Sequence, residues 1–222
     1  MHGTCVVTNA RKKIDEMRFL IFLFLAVMLP MSSAFGQDAK LAQQYYQDGE
    51  FEKAAVLYEK LYLQQNRNEY YFDRYLECLL SIENYEEVEN VLKRELRDNP
   101  KNIRLYVNYG NLYERQFKEA EAEEMYQKAI KKLPPDQFEI TRLASAFTNL
   151  TKYDLAVQCY ETGAALLKDK QIFAYNLAEL YRRKGDIAKM IENYLNSLET
   201  NPERLNTIKS QFQRYLSTNE DY

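Results

Sequence analysis

The chain has 222 residues, of which 30 are Lys or Arg and 33 are Asp or Glu, so its formal net charge is −3. It contains only 6 Gly and 5 Pro, and His2 is its single histidine. The small number of Gly and Pro residues favours helices over a loop-rich all-β fold. Because the chain has no histidine after His2, catalysis by a Ser-His or Cys-His pair is excluded.

An apolar segment, Phe19–Met31, lies near the N-terminus, after basic residues and before the small residues Ala34 and Gly36. A basic start, a short apolar core and small residues two apart are typical of a secretory signal. We therefore expect residues 1–36 to be a signal peptide that is cleaved before Gln37. The localisation that this pattern predicts is export from the cytoplasm.

Two alternatives stay open for this N-terminal part. A compact signal begins at Met17. If translation begins there, residues 1–16 are an over-extended start that is not part of the protein. The 13 apolar residues of Phe19–Met31 are fewer than the roughly 20 that a membrane-spanning helix needs. An uncleaved segment that anchors the chain in the membrane is the second alternative.

From residue 35 onward the sequence repeats every 34 residues without a gap. Numbered from the start of each repeat, position 8 is mostly small and position 11 mostly aromatic, and positions 20 and 24 show the same contrast. The predicted repeats are 35–68, 69–102, 103–136, 137–170 and 171–204. Position 8 holds Ala42, Leu76, Gly110, Ala144 and Ala178, and position 24 holds Tyr58, Leu92, Tyr126, Tyr160 and Tyr194.

Each repeat has the pattern of two helices. Apolar residues at positions 4, 7, 8 and 11 have the i, i+3, i+4, i+7 spacing of one helix face. A second helix carries apolar or small residues at positions 20, 24 and 27. Gly49 and Gly185 occupy the turn between the two helices. Pro100, Pro134 and Pro202, at position 32, end their units.

Aligned by position, the repeats form columns of similar residue types. These columns resemble the tetratricopeptide repeat (TPR), which favours Trp, Leu, Gly, Tyr, Ala, Phe, Ala and Pro at positions 4, 7, 8, 11, 20, 24, 27 and 32. The resemblance covers 170 residues and implies an all-α fold, a right-handed α-solenoid of five repeats plus a C-terminal helix. Position 4 is never Trp, and Glu95 departs from the pattern at position 27. In the third repeat Phe117 comes two residues earlier than the apolar residue that begins the second helix in the other repeats. This shift predicts a tighter turn and a longer second helix in that repeat.

Residues 205–222 begin a further helix, with Ile208, Phe212 and Tyr215 at positions 4, 8 and 11 of a sixth repeat. Two interpretations remain open for this segment. It is either a helix that caps the last apolar face of the array, or the start of a sixth repeat in a longer array.

The sequence offers little chemistry for a reaction. Residues 37–222 contain Cys78, Cys159 and no histidine, which is too few ligands for a structural zinc site. We expect both thiols to be buried rather than joined in a disulfide. Glutamates on one predicted helix are interpreted as a solvated face, not a metal site; they are Glu119, Glu121, Glu123 and Glu124. We expect no enzyme activity, cofactor, metal or small-molecule substrate.

The partner classes follow from charge and from the resemblance. Residues 37–222 carry five more acidic than basic residues, which disfavours nucleic acid, and a membrane partner is expected only if the N-terminal segment is retained. In the TPR family, positions 2, 5, 9, 12 and 13 of the first helix line a concave groove that binds a partner peptide or helix. The candidate groove residues are Tyr46, Tyr70, Asp73, Glu77, Arg104, Asn111, Arg115, Tyr175, Glu179 and Arg182.

The same positions also hold Leu80 and Val107. Family members that clamp a C-terminal carboxylate have Lys and Asn at positions 5 and 9 of the first repeat. Ala39 and Gln43 stand there, so that activity is not carried over. The resemblance implies a non-catalytic interaction module or scaffold of the cell envelope. With the predicted export, it implies a location in the periplasm or envelope of a Gram-negative bacterium. The alternative is a structural spacer in a longer TPR protein or assembly, whose groove face is an ordinary wet surface and binds no ligand.

Overall fold

The computed structural model describes residues 36–219, so the apolar segment Phe19–Met31 and the last three residues lie outside the described part. Residues 36–47 form helix α1. The helices that follow are α2 (Phe51–Gln64), α3 (Glu69–Ser81), α4 (Tyr85–Asp98), α5 (Arg104–Arg115), α6 (Glu119–Lys131), α7 (Gln137–Asn149), α8 (Tyr153–Leu167), α9 (Ala174–Lys184), α10 (Ile187–Thr200) and α11 (Leu205–Asn219). A 3₁₀ turn, Pro202–Arg204, precedes α11.

The predicted all-α repeat fold is confirmed, since first and second helices alternate and residues 36–219 contain no strand. The second helix of every repeat begins at position 17. Two residues earlier the backbone is left-handed in all five repeats, at Gly49, Glu83, Phe117, Thr151 and Gly185. This single residue reverses the chain, and it fixes where the next helix starts. No described helix has the length and apolarity that crossing a membrane requires.

The expectation of a longer second helix in the third repeat is wrong. Helix α6 has 13 residues, whereas α4 and α10 have 14 each. Phe117 does not start the helix early, because it is the turn residue itself, with φ +60° and a side chain that is 94% exposed. The position of this aromatic residue therefore does not indicate where the second helix begins.

Short polar side chains begin several helices. Asp136 accepts a hydrogen bond from the backbone N–H of Glu139 (2.9 Å), and Asp186 accepts one from Lys189 (3.1 Å). Asn68 does the same for Tyr70 at the start of α3 (2.9 Å). Each satisfies a backbone donor that the first turn of a helix leaves unpaired.

Contacts divide the described residues into two compact units, 36–88 and 89–219. In the first unit α2 packs against α3, and the rings of Tyr62 and Phe72 lie 5.0 Å apart between them. Its buried side chains include Ala42, Ala54 and Tyr58 from the repeat columns.

In the second unit the hairpins α5–α6, α7–α8 and α9–α10 stack, with α7 against α5 and α8 against α6 and α9. Two glycines allow close packing. A Cβ on Gly110 would lie 2.2 Å from Cε1 of Tyr126, and one on Gly163 would lie 2.5 Å from Cγ2 of Ile140. Helix α11 packs next to α10. Its Ile208 is buried, and its Phe212 ring lies 5.4 Å from the ring of Tyr194 on α10.

Cys78 and Cys159 are free and buried, as the sequence analysis favoured. Burial raises the pKa of the Cys159 thiol to about 12. The Sγ atom of Cys159 lies 3.5 Å from the carbonyl oxygen of Ile140. Both thiols are therefore small core side chains, and they are protonated at neutral pH.

Candidate functional site

A first cluster forms on α1 and α3 in the first unit, and we call its four members, Tyr46, Tyr70, Arg74 and Glu77, the Arg74 cluster. The guanidinium carbon of Arg74 lies 4.7 Å from the ring centroid of Tyr46 and 5.5 Å from that of Tyr70. Its Nη1 donates to Oε2 of Glu77 at 2.7 Å. The cation is thus held between two aromatic rings and a carboxylate.

The Arg74 cluster is open on its outer side. The Tyr70 side chain is 51% exposed, and Glu77 is also exposed, whereas Tyr46 and Arg74 are half-buried. Burial, and then hydrogen bonding to Glu77, raise the pKa of Tyr46 to about 12. The Tyr46 hydroxyl therefore stays a neutral donor under physiological conditions.

A second cluster, the Glu114 cluster, contains Glu114 of α5, Tyr126 of α6 and Lys152. The Tyr126 hydroxyl donates to Oε2 of Glu114 at 2.9 Å, and Lys152 pairs with Oε1 of the same carboxylate. The Lys152 ammonium lies 5.3 Å from the Tyr126 ring centroid. Burial, and next the hydrogen bond to Glu114, raise the pKa of Tyr126.

A third cluster, the Glu179 cluster, contains Tyr175, Glu179 and Arg182 of α9 with Tyr194 of α10. Arg182 Nη2 donates to Oε2 of Glu179 at 2.9 Å, and the Tyr194 hydroxyl donates to Oε1 of the same carboxylate. The rings of Tyr175 and Tyr194 meet edge to face at 5.8 Å. On its other side, Tyr175 contacts the Arg204 guanidinium, whose carbon lies 5.0 Å from the ring centroid.

One structural rule connects the clusters with the core. The position-24 tyrosines Tyr126, Tyr160 and Tyr194 have buried rings, and their hydroxyls meet polar side chains of a first helix. Tyr126 and Tyr194 donate to glutamates, and Asn176 donates to the Tyr160 hydroxyl oxygen at 3.2 Å. Buried tyrosines usually need such a partner for the hydroxyl, so one column both fills the core and orients surface carboxylates.

The structure brings six of the ten predicted groove residues into two of these clusters. They are Tyr46, Tyr70, Glu77, Tyr175, Glu179 and Arg182. The other four lie on α3 and α5, outside the contacts described above. Asp73, Arg104 and Asn111 are half-buried, and Arg115 is exposed.

Two residues assigned to the groove face by position are not on a surface. Leu80 and Val107 are buried. Val107 belongs to the same buried apolar cluster as Ile140 and Leu143 of α7, the helix that packs against α5. The accessible part of the face is therefore narrower than helix geometry alone indicates.

Sequence reasoning missed Arg74 and Lys152, which stand at positions 6 and 16, outside the five groove positions. It also assigned Tyr126 and Tyr194 to the core only. The signal that could have found these hydroxyls is the hydrogen-bond requirement of a buried tyrosine. Nothing in the spacing marks Lys152, which reaches Glu114 across 38 positions of sequence.

Among residues 36–219, no group of three or more His, Cys, Asp or Glu side chains has an arrangement that would hold a metal ion. The four glutamates at the start of α6 are exposed to solvent. The clusters consist of tyrosines, carboxylates and cations that are paired with one another. This arrangement is suited to holding a partner's side chains rather than to activating a nucleophile.

The tetratricopeptide repeat model matches residues 103–131 and 173–204. No curated protein matches the sequence. The matching solved structures include the MamA protein, with 14% identity, a TM-score of 0.35, and 78% of this chain and 94% of that chain covered. They also include TTC0263, a thermophilic TPR protein in Thermus thermophilus, with 18% identity, a TM-score of 0.39, and 82% and 98% of the two chains covered. Identities and scores this low carry no inference about a partner.

Proposed function

Because this chain is a tetratricopeptide repeat protein, we propose that it is a non-catalytic module that binds a protein partner on the first-helix faces carrying the three clusters. The TPR fold generally serves protein–protein interaction. The finer proposal is that the ligand is a peptide segment or helix, and that the module works as a scaffold of the cell envelope.

The observation that carries this proposal is the position of Arg74 between Tyr46 and Tyr70. Tyrosine and arginine are the side chains that most often anchor interfaces. Arginine normally loses much rotamer freedom when it is bound, and a guanidinium already held by two rings and Glu77 has less left to lose. The cluster is thus pre-organised, while its Tyr70 edge stays accessible.

The chemistry of the Arg74 cluster indicates the kind of side chains it receives. An apolar or aromatic side chain of the partner packs on the exposed Tyr70 ring. A neighbouring carboxylate of the partner takes the place of Glu77 on the Arg74 fork, which binds carboxylates in a bidentate manner. The proposed ligand is therefore a segment with an acidic residue next to an apolar one.

A photo-crosslinking residue placed at Tyr70 in the full chain, expressed in its own cells, tests the proposal. A partner should be captured from Tyr70 and from Tyr175, and not from Glu199, an exposed second-helix position. Glu95 of the second helix α4 is buried and therefore unsuited as a control. Equal capture from first-helix and second-helix positions would show that the face is ordinary surface and that the array is a spacer.

Affinity provides the second measurement once a partner is in hand. Arg74→Ala should weaken binding by about 1–2 kcal/mol, as truncation of a true anchor does. Asn111→Ala combined with Arg115→Ala measures whether the face of α5 also takes part. Unchanged affinity in the Arg74→Ala variant would reject the Arg74 cluster as an anchor.

We also propose that the chain is exported, on the sequence pattern around Phe19–Met31 and Ala34-Phe35-Gly36. Mass spectrometry of the protein from the periplasm should find Gln37 as its first residue. Recovery of the uncleaved chain from the membrane fraction would support the anchored alternative. Recovery of residues 18–35 on a soluble chain would contradict export by cleavage.

A further inference from the structure

Arg204, the last residue of the 3₁₀ turn before α11, is held in place without a carboxylate. Its guanidinium carbon lies 5.0 Å from the ring centroid of Tyr175, and its Nη1 donates to the Ser197 hydroxyl at 3.3 Å. We call these three residues the Arg204 site. Among residues 36–215, whose side chains the structure describes, no Asp or Glu forms an ion pair with Arg204. The half-buried cation is therefore fixed in position while its charge is left uncompensated.

Other arginines of the chain find their carboxylate close by in sequence. Those that pair with a glutamate three residues away on the same helix are Arg74, Arg142 and Arg182. Around Arg204 the residues at that spacing are the neutral Asn201 and Thr207. The local sequence thus offers Arg204 no carboxylate, and a cation that loses part of its hydration without gaining a counter-charge is costly.

Two members of the Arg204 site depart from the repeat pattern, and they contact each other. Position 34 holds Asn68 and Asp136 in other repeats, which cap the following helix, whereas the fifth repeat has Arg204 there. Position 27 holds the apolar Ala129 in the third repeat, whereas the fifth has the buried Ser197. A buried hydroxyl is costly unless it is hydrogen-bonded, and Arg204 supplies that bond. The hydroxyl and the guanidinium therefore form a matched pair that is specific to the fifth repeat.

The Arg204 guanidinium keeps an open donor edge. It carries five N–H groups, and Ser197 accepts only one of them, from Nη1. Its Nε and Nη2 atoms donate to no side chain within the part of the chain whose side chains are described, residues 36–215. These two atoms form the planar fork with which arginine holds a carboxylate through two parallel hydrogen bonds.

We propose that Arg204 binds a carboxylate of the protein partner through this edge, while Ser197 and Tyr175 position the guanidinium. This inference rests on the proposed function and deepens it, because it names a group that the partner presents to the fifth repeat. The site stands at position 34, away from positions 5 and 9, with which the carboxylate-clamping members of the family bind.

Charge selects a carboxylate over a phosphate. In the Glu179 cluster, Arg182 already neutralises Glu179, so Arg204 brings one cation that awaits one negative charge. A carboxylate carries a single charge, whereas a phosphate carries more than one near pH 7. An aspartate or glutamate side chain and the C-terminus of a peptide share this carboxylate chemistry.

Nuclear magnetic resonance of the purified full chain tests the site through the Nε–H signal of Arg204, which an Arg204→Gln variant identifies by its loss. The probes are acetyl-aspartate amide, acetyl-alanine with its free carboxylate, the neutral acetyl-asparagine amide and inorganic phosphate. At least one carboxylate probe should bind about tenfold more tightly than the neutral probe, because a hydrogen bond to a charged group is the stronger one. The tighter of the two carboxylate probes identifies the source as a side chain or a C-terminus.

Two controls make the result specific. Arg94 of α4 is also half-buried, and no side chain among residues 36–215 pairs with it or positions it, so its signal in the same spectrum should respond about tenfold more weakly. Ser197→Ala is the matched variant, because Ala129 occupies the same position of the third repeat within the core. It should leave the helical circular dichroism unchanged and weaken carboxylate binding at Arg204 about threefold, since the guanidinium then loses the hydroxyl that positions it.

Several results would overturn the inference: equal responses of the Arg204 and Arg94 signals, tighter binding of phosphate than of either carboxylate, or unchanged binding in the folded Ser197→Ala variant. Capture of a partner from Tyr70 is an independent measurement. Capture without a carboxylate response at Arg204 would reject this inference and leave the proposed function standing. A carboxylate response without capture from any first-helix position would reject the proposed function and leave Arg204 as a carboxylate site.

Discussion

The Arg74 cluster and the Glu114 cluster use similar residue types in opposite arrangements. In the first, the cation lies at the centre, and the tyrosine rings that flank it are half-buried or exposed. In the second, the carboxylate lies at the centre, and Tyr126 reaches it from the core with only 1% of its surface exposed. The same chemistry is thus attached to the fold at two different depths.

This difference in burial gives the two clusters different roles: the Glu114 cluster contributes mainly to stability, and the Arg74 cluster is suited to recognition. Removing a group from the Glu114 cluster disturbs Tyr126, which is packed against Gly110 and Phe147 in the core. Removing a group from the Arg74 cluster mainly changes a surface. We therefore expect the deep cluster to be detected in unfolding experiments and the shallow cluster in binding experiments.

Alkaline pH should have the largest effect, because it acts on all buried tyrosines together. Burial raises the pKa of Tyr109 and Tyr160 to about 12, so the folded chain favours their neutral forms. The stability that these groups contribute is complete below about pH 10, the ordinary value for tyrosine, and is lost as the pH rises towards 12. Thermal melting should therefore fall steeply over that range, and a Tyr160→Phe variant should show a shallower fall. A constant melting temperature from pH 9 to 12 would contradict the assigned burial.

Gly110→Ala should cause the next largest loss. The added methyl group would overlap the Tyr126 ring, and forced repacking of a core typically costs about 1–3 kcal/mol. Gly185→Ala is the matched control, since its Cβ meets nothing within 4 Å and only the backbone at φ +75° is strained. Urea unfolding of both variants separates steric overlap from backbone strain. An unchanged stability of the Gly110→Ala variant would mean that the Tyr126 ring moves aside without cost.

Tyr126→Phe compared with Tyr46→Phe tests the depth difference directly. Loss of the Tyr126 hydroxyl removes a hydrogen bond to the Glu114 carboxylate and should lower the free energy of unfolding by about 1 kcal/mol. The half-exposed Tyr46 should lose less than about 0.5 kcal/mol, because water replaces its partner. Chemical denaturation measures both values, and the reverse order would break the distinction between the two clusters.

Arg74→Ala should have the smallest effect on stability. Its ion pair with Glu77 is partly exposed, and such pairs contribute about 0–1 kcal/mol. Glu77 remains hydrated after the change. The variant should therefore unfold within about 0.5 kcal/mol of the parent while losing affinity for its partner. A loss of stability above that of Tyr126→Phe would show that the Arg74 cluster supports the fold.

The fold could be predicted from the sequence because the same contacts recur in every repeat. Ala42, Ala144 and Ala156 stand in small-residue columns, and each is fully buried. The turn after α5 could not be predicted, because a left-handed backbone is usually signalled by glycine and Phe117 gives no such signal. The residue at this position has a left-handed backbone in all five repeats. The place in the repeat therefore sets that conformation, and the identity of the residue does not.

The candidate site could be predicted only in part. Helix geometry located Tyr70 and Glu77, since position alone decides which way they face. It did not locate Arg74 or Lys152, because long flexible side chains reach partners well away from their own helix face. It also misplaced Val107, because packing between repeats, which covers that residue, is not visible within a single helix.

The amide pair between Gln127 and Gln158 has a mechanical consequence. Its two reciprocal bonds of 3.1 Å join the second helices of the third and fourth repeats, and sliding by one turn, about 5.4 Å, would break both. At the corresponding positions of the fourth and fifth repeats the residues are Glu161 and Glu192, two carboxylates that cannot form such an amide pair. Under tension the third and fourth repeats should move as one stiff piece, and the chain should extend first beyond them. A single pair of amides thus makes this junction stiffer than the next one.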